Sequence, residues 1–348
     1  MAYRKIGTFV KPFNEKNKEG IYEEVLGVSI DKEFMPSVAN TIGTDLKKYN
    51  VLRKKRFAFN PMHVGRDKKL PIAVYHSNEP ALVSPAYNMF EVTDSTIDIR
   101  YLMLLFKTSM FDHLCWFYTD ASVRGGLTWD DFCNIELEIK DIKTQHEVVN
   151  KYYKVEEQIA NSKEIINTLE KLLMSLFDNL EKNVSLPLKK LTKEMKGIKT
   201  GKSAKILKKF KENDFTIPVV GAAGIIGYTD KPYLSKRVIS TGRVGTIGKV
   251  MIWDNDNWFT DNSLIIETDY ISTTYCVLKQ YDFKEILGGS SNPKITQTDL
   301  ENIVINIPKE SILYEFEKNT KVIIDYILLK QNEIKNLENL KDMIISKI

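Results

Sequence analysis

The feature that most limits how this chain can fold is a repeat of itself at a fixed distance. Residues 127–139 read LTWDDFCNIELEI and residues 295–307 read ITQTDLENIVINI, an ungapped offset of 168. Thr128/Thr296, Asp131/Asp299, Asn134/Asn302, Ile135/Ile303 and Ile139/Ile307 are identical. The offset continues into two apolar seams. Val148, Tyr152, Val155, Ile159, Ser162, Ile166, Leu169, Leu173, Leu176 and Leu180 follow a 4-3 spacing, the mark of a helix that packs along one stripe. The same offset leads to Phe316, Thr320, Ile323, Ile327, Lys330, Ile334, Leu337, Lys341, Ile344 and Ile348, of which seven are apolar. The polar Lys330 takes the place in its seam that Ser162 takes in the first. Each seam covers 33 residues, roughly 50 Å of helix at about 1.5 Å per residue. A lone helix would expose its stripe to water, so the two are expected to pair. The spacing leaves parallel and antiparallel packing open.

Two globular units separated and closed by helices account for this order. The expected division is a first unit over 1–142, a helix over 143–183, a second unit over 184–310 and a closing helix over 311–348. In the first unit the pattern predicts strands over 57–59, 72–75 and 87–92 and a helix over 97–110. In the second it predicts strands over 217–220, 244–253 and 263–268. The chain of 348 residues is 43% hydrophobic and 28% charged, a folded composition and not a disordered one. No apolar run approaches the roughly 18 residues of a membrane span, and no apolar stretch near the start suggests a secretory signal. Cys115, Cys133 and Cys276 are scattered, with no CxxC, as expected of free thiols in a reducing cytoplasm.

Charge is unevenly spread. The net charge is +4, yet Glu181 to Asp214 holds eleven lysines against four acidic residues. Eight of these lysines recur at every third position from Lys190 to Lys211, and Gly197 and Gly201 interrupt any single helix. The stretch is either a solvated linker or a segment that displaces counterions from DNA phosphates. In the second case Lys202 and Lys205 are candidate contacts.

Catalytic signatures fail one by one. The run GRVGTIGKV at 242–250 has five residues between Gly242 and Gly248 where a Walker A has four, and Val250 stands where a Ser or Thr would hold magnesium. GAAGIIG at 221–227 lacks the spacing of a dinucleotide fold. His63, His76, His113 and His146 form no zinc set. No Asn/Asp-Pro-Pro-aromatic tetrapeptide is present; Asn60-Pro61-Met62-His63 comes nearest. The E-x-K tripeptides at Glu138, Glu194 and Glu333 are what a chain rich in both residues yields by chance.

The repeat together with several motifs resembles the specificity (S) subunit of type I restriction–modification systems, over essentially the whole chain. DLKKYNVL at 45–52, FAFNPM at 57–62 and LVSPAY at 82–87 look like one common class of recognition domain. IPVVG at 217–221, GIIGY at 224–228 and GRVG at 242–245 look like another. IVINIP at 303–308 is similar to the family's exit from a recognition domain into its helix. The first junction departs from this with Lys140 in place of proline, and the usual glutamine soon after the junction is not obvious in either half.

The resemblance implies an α+β fold: two α/β target-recognition domains separated by a pair of long antiparallel coiled-coil helices, related by a pseudo-twofold repeat. It implies a cytoplasmic, non-catalytic subunit that reads a bipartite double-stranded DNA target, far from any membrane. Its partners would be two methyltransferase (M) subunits and motor-nuclease (R) subunits. S-adenosylmethionine would belong to the first, ATP and Mg to the second, and no cofactor or metal to this chain. A spacer of roughly 50 Å corresponds to about 15 base pairs at about 3.4 Å each.

Direct readout needs hydrogen-bonding groups on loops that enter a groove. The candidates in the first domain are Asn60, His63, Arg66, Lys68, Lys69 and Arg124, the last beside Gly125-Gly126. In the second they are Arg237, Arg243, Lys249, Ser290, Ser291, Asn292 and Lys294. Tyr87, Trp116 and Trp129 are expected in the core. Competing readings are the DNA-recognition subunit of a related bipartite system with a fused methyltransferase-nuclease, a coiled-coil scaffold without a DNA role, and an unrecognised enzyme.

Overall fold

The computed structural model of the chain describes residues 2–38, 43–62, 64–119, 126–192, 197–209, 211–212, 214–287 and 293–348. It resolves into two compact units, one formed by 1–159 with 336–348 and the other by 160–335.

The first unit contains β1 (Ala2–Lys5), β2 (Val10–Pro12), β3 (Val25–Val28), β4 (Phe34–Pro36), β5 (Asn50–Leu52), β6 (Phe57–Phe59), β7 (Ile72–Val74), β8 (Ala81–Val83), β9 (Asn88–Val92) and β10 (Glu136–Ile139). Its helices are α1 (Val64–Asp67), α2 (Ile99–Phe106), α3 (Ser109–Phe117), α4 (Trp129–Asn134) and the start of α5 (Ile142–Asp178). The second unit contains β11 (Val184–Pro187), β12 (Ile198–Thr200), β13 (Ile217–Gly221), β14 (Gly224–Thr229), β15 (Leu234–Ser235), β16 (Val238–Gly242), β17 (Met251–Trp253), β18 (Asp256–Phe259), β19 (Ser263–Ile266) and β20 (Val304–Ile307). Its helices are α6 (Ile271–Gln280), α7 (Gln297–Glu301) and most of α8 (Glu310–Ser346).

The two units repeat one topology strand for strand. One sheet runs β2-β9-β6-β7 in the first and β12-β19-β16-β17 in the second. The other runs β4-β3-β8-β5 and β14-β13-β18-β15. Its β3·β8 and β13·β18 pairs are the parallel ones. A separate antiparallel ribbon closes each unit, β1 with β10 and β11 with β20. In β10 and β20 every second residue faces in, Leu137 and Ile139 on one side and Ile305 and Ile307 on the other. That is the period of a half-buried strand. The offset of 168 reaches the caps: Thr128 Oγ1 accepts from Asp131 N at 3.1 Å, and Thr296 Oγ1 accepts from Asp299 N at 3.2 Å. It also separates Ile142 from Glu310 and Asp178 from Ser346, so α5 and α8 are 37 residues each.

Within each unit the two long helices meet start to end. In the second unit the rings of Phe177, near the end of α5, and Phe316, near the start of α8, lie 5.7 Å apart. In the first unit Lys341, near the end of α8, is 3.4 Å from Glu156 of α5 and lies over the Tyr152 ring. Start against end is antiparallel packing, which the seam spacing alone left open. The seam shifts where the helices dock into their units. Val149 is buried more deeply than Val148, and Leu176 is 40% exposed while Phe177 is buried. The stripe there has to face a sheet as well as a helix, and it widens accordingly. At the polar seam position Glu333 joins the two expected residues: Ser162 donates to its carboxylate at 3.4 Å and Lys330 at 2.6 Å.

Two departures from the sequence pattern have local causes. The helix expected over 97–110 is broken, because Thr108 caps a new helix by accepting from Phe111 N. The strand expected over 244–253 shrinks to β17, because Gly245 and Gly248 adopt φ of 75° and 79° and turn the chain.

Soon after the first junction the structure singles out Gln145. It is fully buried on α5, accepts from Asp98 N at 2.8 Å and donates to Thr96 O and Lys140 O. It therefore ties the long helix to the turn that opens α2. In the second unit the offset puts Leu313 there, and Glu317 takes over. Its carboxylate accepts from Ser272 N and Thr273 N at the start of α6, and burial pushes its pKa up.

Phe177→Ala is expected to cost about 3–5 kcal/mol, and Leu176→Ala on the same turn under about 1 kcal/mol; urea unfolding of both variants measures the difference. Gln145→Leu is expected to cost about 1–3 kcal/mol, since it orphans the Asp98 amide, seen as a lower Tm.

Candidate nucleic-acid interface

The shared topology brings two loops together in each unit. In the first, the β6–β7 loop receives the segment that leads into α4: Leu127 N donates to Pro61 O at 3.0 Å. In the second, the β16–β17 loop receives the segment that leads into α7: Ile295 N donates to Arg243 O at 3.0 Å. Leu127 and Ile295 are separated by the same 168 residues. Most candidate contacts fall on these paired loops.

In the first unit Asn60 is half-buried, and its side chain accepts from Met62 N at 3.0 Å, which shapes the start of the loop. Arg66 is exposed and forks onto Asp67. Lys68 has a φ of 51° and carries its ammonium 4.8 Å over the Trp116 ring. Lys69 is exposed. The far end of the loop is held from inside by Asp112 of α3. Its carboxylate accepts from Leu70 N at 3.1 Å and from the buried Lys32 ammonium at 2.7 Å. Lys32 also donates to Phe106 O, and burial lowers its pKa against the pull of Asp112. One buried ion pair thus joins the β3–β4 turn, α2, α3 and the candidate loop. His63 and Arg124 lie outside the described residues.

In the second unit Gly242 is needed where β16 ends. A Cβ there would stand 2.0 Å from Thr246 O and 3.0 Å from Ala222 O. The loop folds back on itself beside the β13–β14 turn, and Lys249 Nζ donates to Ala223 O at 2.6 Å. Arg243 Nη1 reaches Asp261 O at 3.4 Å, and its Nε is buried without a hydrogen-bond partner. Lys294 is exposed and pairs with Val244 in an isolated bridge. Arg243, Lys249 and Lys294 therefore share one loop edge. Ser290, Ser291 and Asn292 lie outside the described residues.

Three candidates stand apart from that edge. Arg237 sits at the opposite end of β16, where it pairs with Asp254 and, on α8, Asp325, both at 2.7 Å. Five strand residues separate it from Arg243, roughly 20 Å at about 3.3 Å per residue. Lys202 and Lys205 are exposed on the segment between β12 and β13. Lys202 is anchored by its backbone, donating to Phe259 O and accepting from Trp258 Nε1, and its ammonium lies 5.7 Å from the Tyr233 ring.

Of the aromatics expected inside, Trp129 is half-buried against Phe59 and Phe132, and the Tyr87 hydroxyl accepts from Val28 N. Trp116 is not core: it is 44% exposed beside Lys68. The expectation rested on how often aromatics are buried, which does not say which face of α3 meets the core; Phe111, Asp112 and Cys115 take that face.

No group of three or more His, Cys, Asp or Glu among the described residues could hold a metal ion. No described helix is long and apolar enough to cross a membrane.

Residues 189–341 match the family Methylase_S, the type I restriction modification DNA specificity domain. The S subunit of a type I restriction-modification system from M. genitalium shares the fold, with a TM-score of 0.58 over 99% of this chain and 95% of that one at 16% identity. A structure of a type I R-M system aligns at 0.41 with 13% identity, over 99% and 96% of the two chains. The HsdS subunit from Thermoanaerobacter tengcongensis aligns at 0.38 with 12% identity, over 99% and 95%. No curated protein sequence matches the chain.

Gly242→Ala is expected to displace the loop that carries Arg243 and Lys249 and to cost about 3 kcal/mol. Gly245→Ala, surrounded by open space, carries only the left-handed backbone penalty of about 1–2 kcal/mol. Chemical denaturation ranks the two.

Proposed function

We propose that this chain, which through residues 189–341 belongs to the type I restriction-modification DNA specificity domain family, reads a split DNA target with one half-site per unit. The observation that carries the reading is the repeated pair of loops. Each unit offers a cationic loop edge pinned by the same backbone hydrogen bond, Leu127 to Pro61 in one and Ile295 to Arg243 in the other. Two equivalent readers joined by continuous helices suit a target of two short sequences held at a fixed separation. Asn60, His63, Arg66, Lys68, Lys69 and Arg124 would serve the first half-site. Arg243, Lys249, Ser290, Ser291, Asn292 and Lys294 would serve the second. Lys202 and Lys205 would track phosphates, and Arg237 would hold the second unit to its helix.

In this reading the chain does no chemistry of its own. It recruits two methyltransferase subunits, which bind S-adenosylmethionine and modify adenine, and motor-nuclease subunits that use ATP and Mg. The complex works on double-stranded DNA in the cytoplasm.

Single-molecule methylation sequencing of the host, with the gene present and deleted, tests this. The expected result is one split motif whose modified adenines disappear on deletion. An unchanged methylome in a strain that expresses the protein and its neighbours refutes it.

A further inference from the structure

We propose that α3 and the loop it braces form a single aromatic–cationic face whose Trp116 and Phe117 wedge into an opened base step of the first half-site and stack on its bases. The proposal rests on the DNA-reading function above and adds the residues that touch the bases.

Helix α3 is turned inside out for a surface helix. Phe111, Asp112 and Cys115 face the core. Met110 is 65% exposed, Trp116 44% and Phe117 78%. Met110, Trp116 and Phe117 lie on one side of the helix with the exposed His113 among them. Large apolar side chains gathered on a solvent face mark an interaction site.

The rim of the stripe identifies the occupant. Lys68 holds its ammonium 4.8 Å over the Trp116 ring, and Lys69 is exposed next to it. Asp67 is engaged by Arg66. Asp112, the acid of α3 itself, is buried and paired with Lys32. The face thus offers flat apolar rings bordered by positive charge. Its complement is a partner with flat apolar groups bordered by negative charge, which is the make-up of a nucleic acid. An apolar protein groove would leave Lys68 and Lys69 without counter-charge.

The face is also rigid. Asp112 accepts from Leu70 N, so the loop bearing Arg66, Lys68 and Lys69 is hydrogen-bonded to the helix bearing Trp116 and Phe117. Cations and rings are presented as one body. The second unit has no such helix among its described residues. After α6 the chain forms a short 3-10 turn, Phe283–Ile286, whose Phe283 is buried.

The test uses the assembled methyltransferase complex and a duplex carrying the motif found by methylation sequencing. Trp116→Ala and Phe117→Ala are each expected to weaken binding between about fivefold and a hundredfold. The salt dependence should stay unchanged, because no phosphate contact is lost. Lys68→Ala should instead flatten the plot of log affinity against log salt by about one unit. Trp116→Phe keeps a ring and should retain most of the binding. Methylation by the Ala variants should lose definition in one half of the motif and keep the other. Three results overturn the proposal. If the Ala variants fold but do not join the methyltransferase subunits, the stripe holds a protein partner. If they assemble, bind and methylate as wild type does, the stripe reads nothing. If the wild-type complex itself binds and marks no DNA, the DNA-reading function falls, and base stacking falls with it.

Discussion

The burial of an apolar stripe on each long helix is the constraint from which the rest of the structure follows. The core of the second unit is not a sheet core with a helix added. Leu173 and Phe177 of α5 and Leu313 and Phe316 of α8 share one cluster with Ile239, Leu264 and Ile266 from the sheet. The first unit is built the same way, with Val149 and Tyr152 of α5, Ile344 and Ile345 of α8 and Ile348 just past it packed with Phe57, Phe59 and Phe90. Helix and sheet bury each other's hydrophobic surface, so neither is stable with that surface exposed to water. Removing Phe177 removes mass from all of these contacts at once.

Polar groups then fix geometry that burial leaves loose. Gln145 connects the start of α5 to the turn into α2, and Glu317 performs the matching task by a different residue one turn further on. Both satisfy backbone donors at a helix start, which would otherwise be buried without partners. The Lys32–Asp112 pair works on the same principle inside the first unit. It is surrounded by protein, so its worth lies less in net stability than in specifying one arrangement of α3, the β3–β4 turn and the β6–β7 loop. Asp112 holds the β6–β7 loop from within, and Trp116 lies against its Lys68 from outside.

The two units show how one scaffold can carry two different loops. Strand order, parallel pairs, closing ribbon and threonine caps are repeated. The loops between β6 and β7 and between β16 and β17 are not. One contains a short helix and lysines braced by α3; the other is a glycine-rich turn braced by the β13–β14 hairpin. Neither loop belongs to the strand pairing that the two units share, so variation in the loops is free of the constraint that holds the frame.

Much was legible in the sequence because it depends on period and offset. The repeat at 168 and the two long helices follow from which residues recur and where. Tertiary structure alone decided what depends on neighbours distant in the chain. It set the antiparallel order of the helices, since the same stripe can pack in either direction. It replaced Leu176 with Phe177 in the seam, since that turn meets a sheet. It drew Arg237 away from Arg243 to an ion pair with Asp325, and it exposed Trp116, since Phe111, Asp112 and Cys115 take the core face of α3. A sequence states which face of an element is apolar; only the fold states what that face will meet.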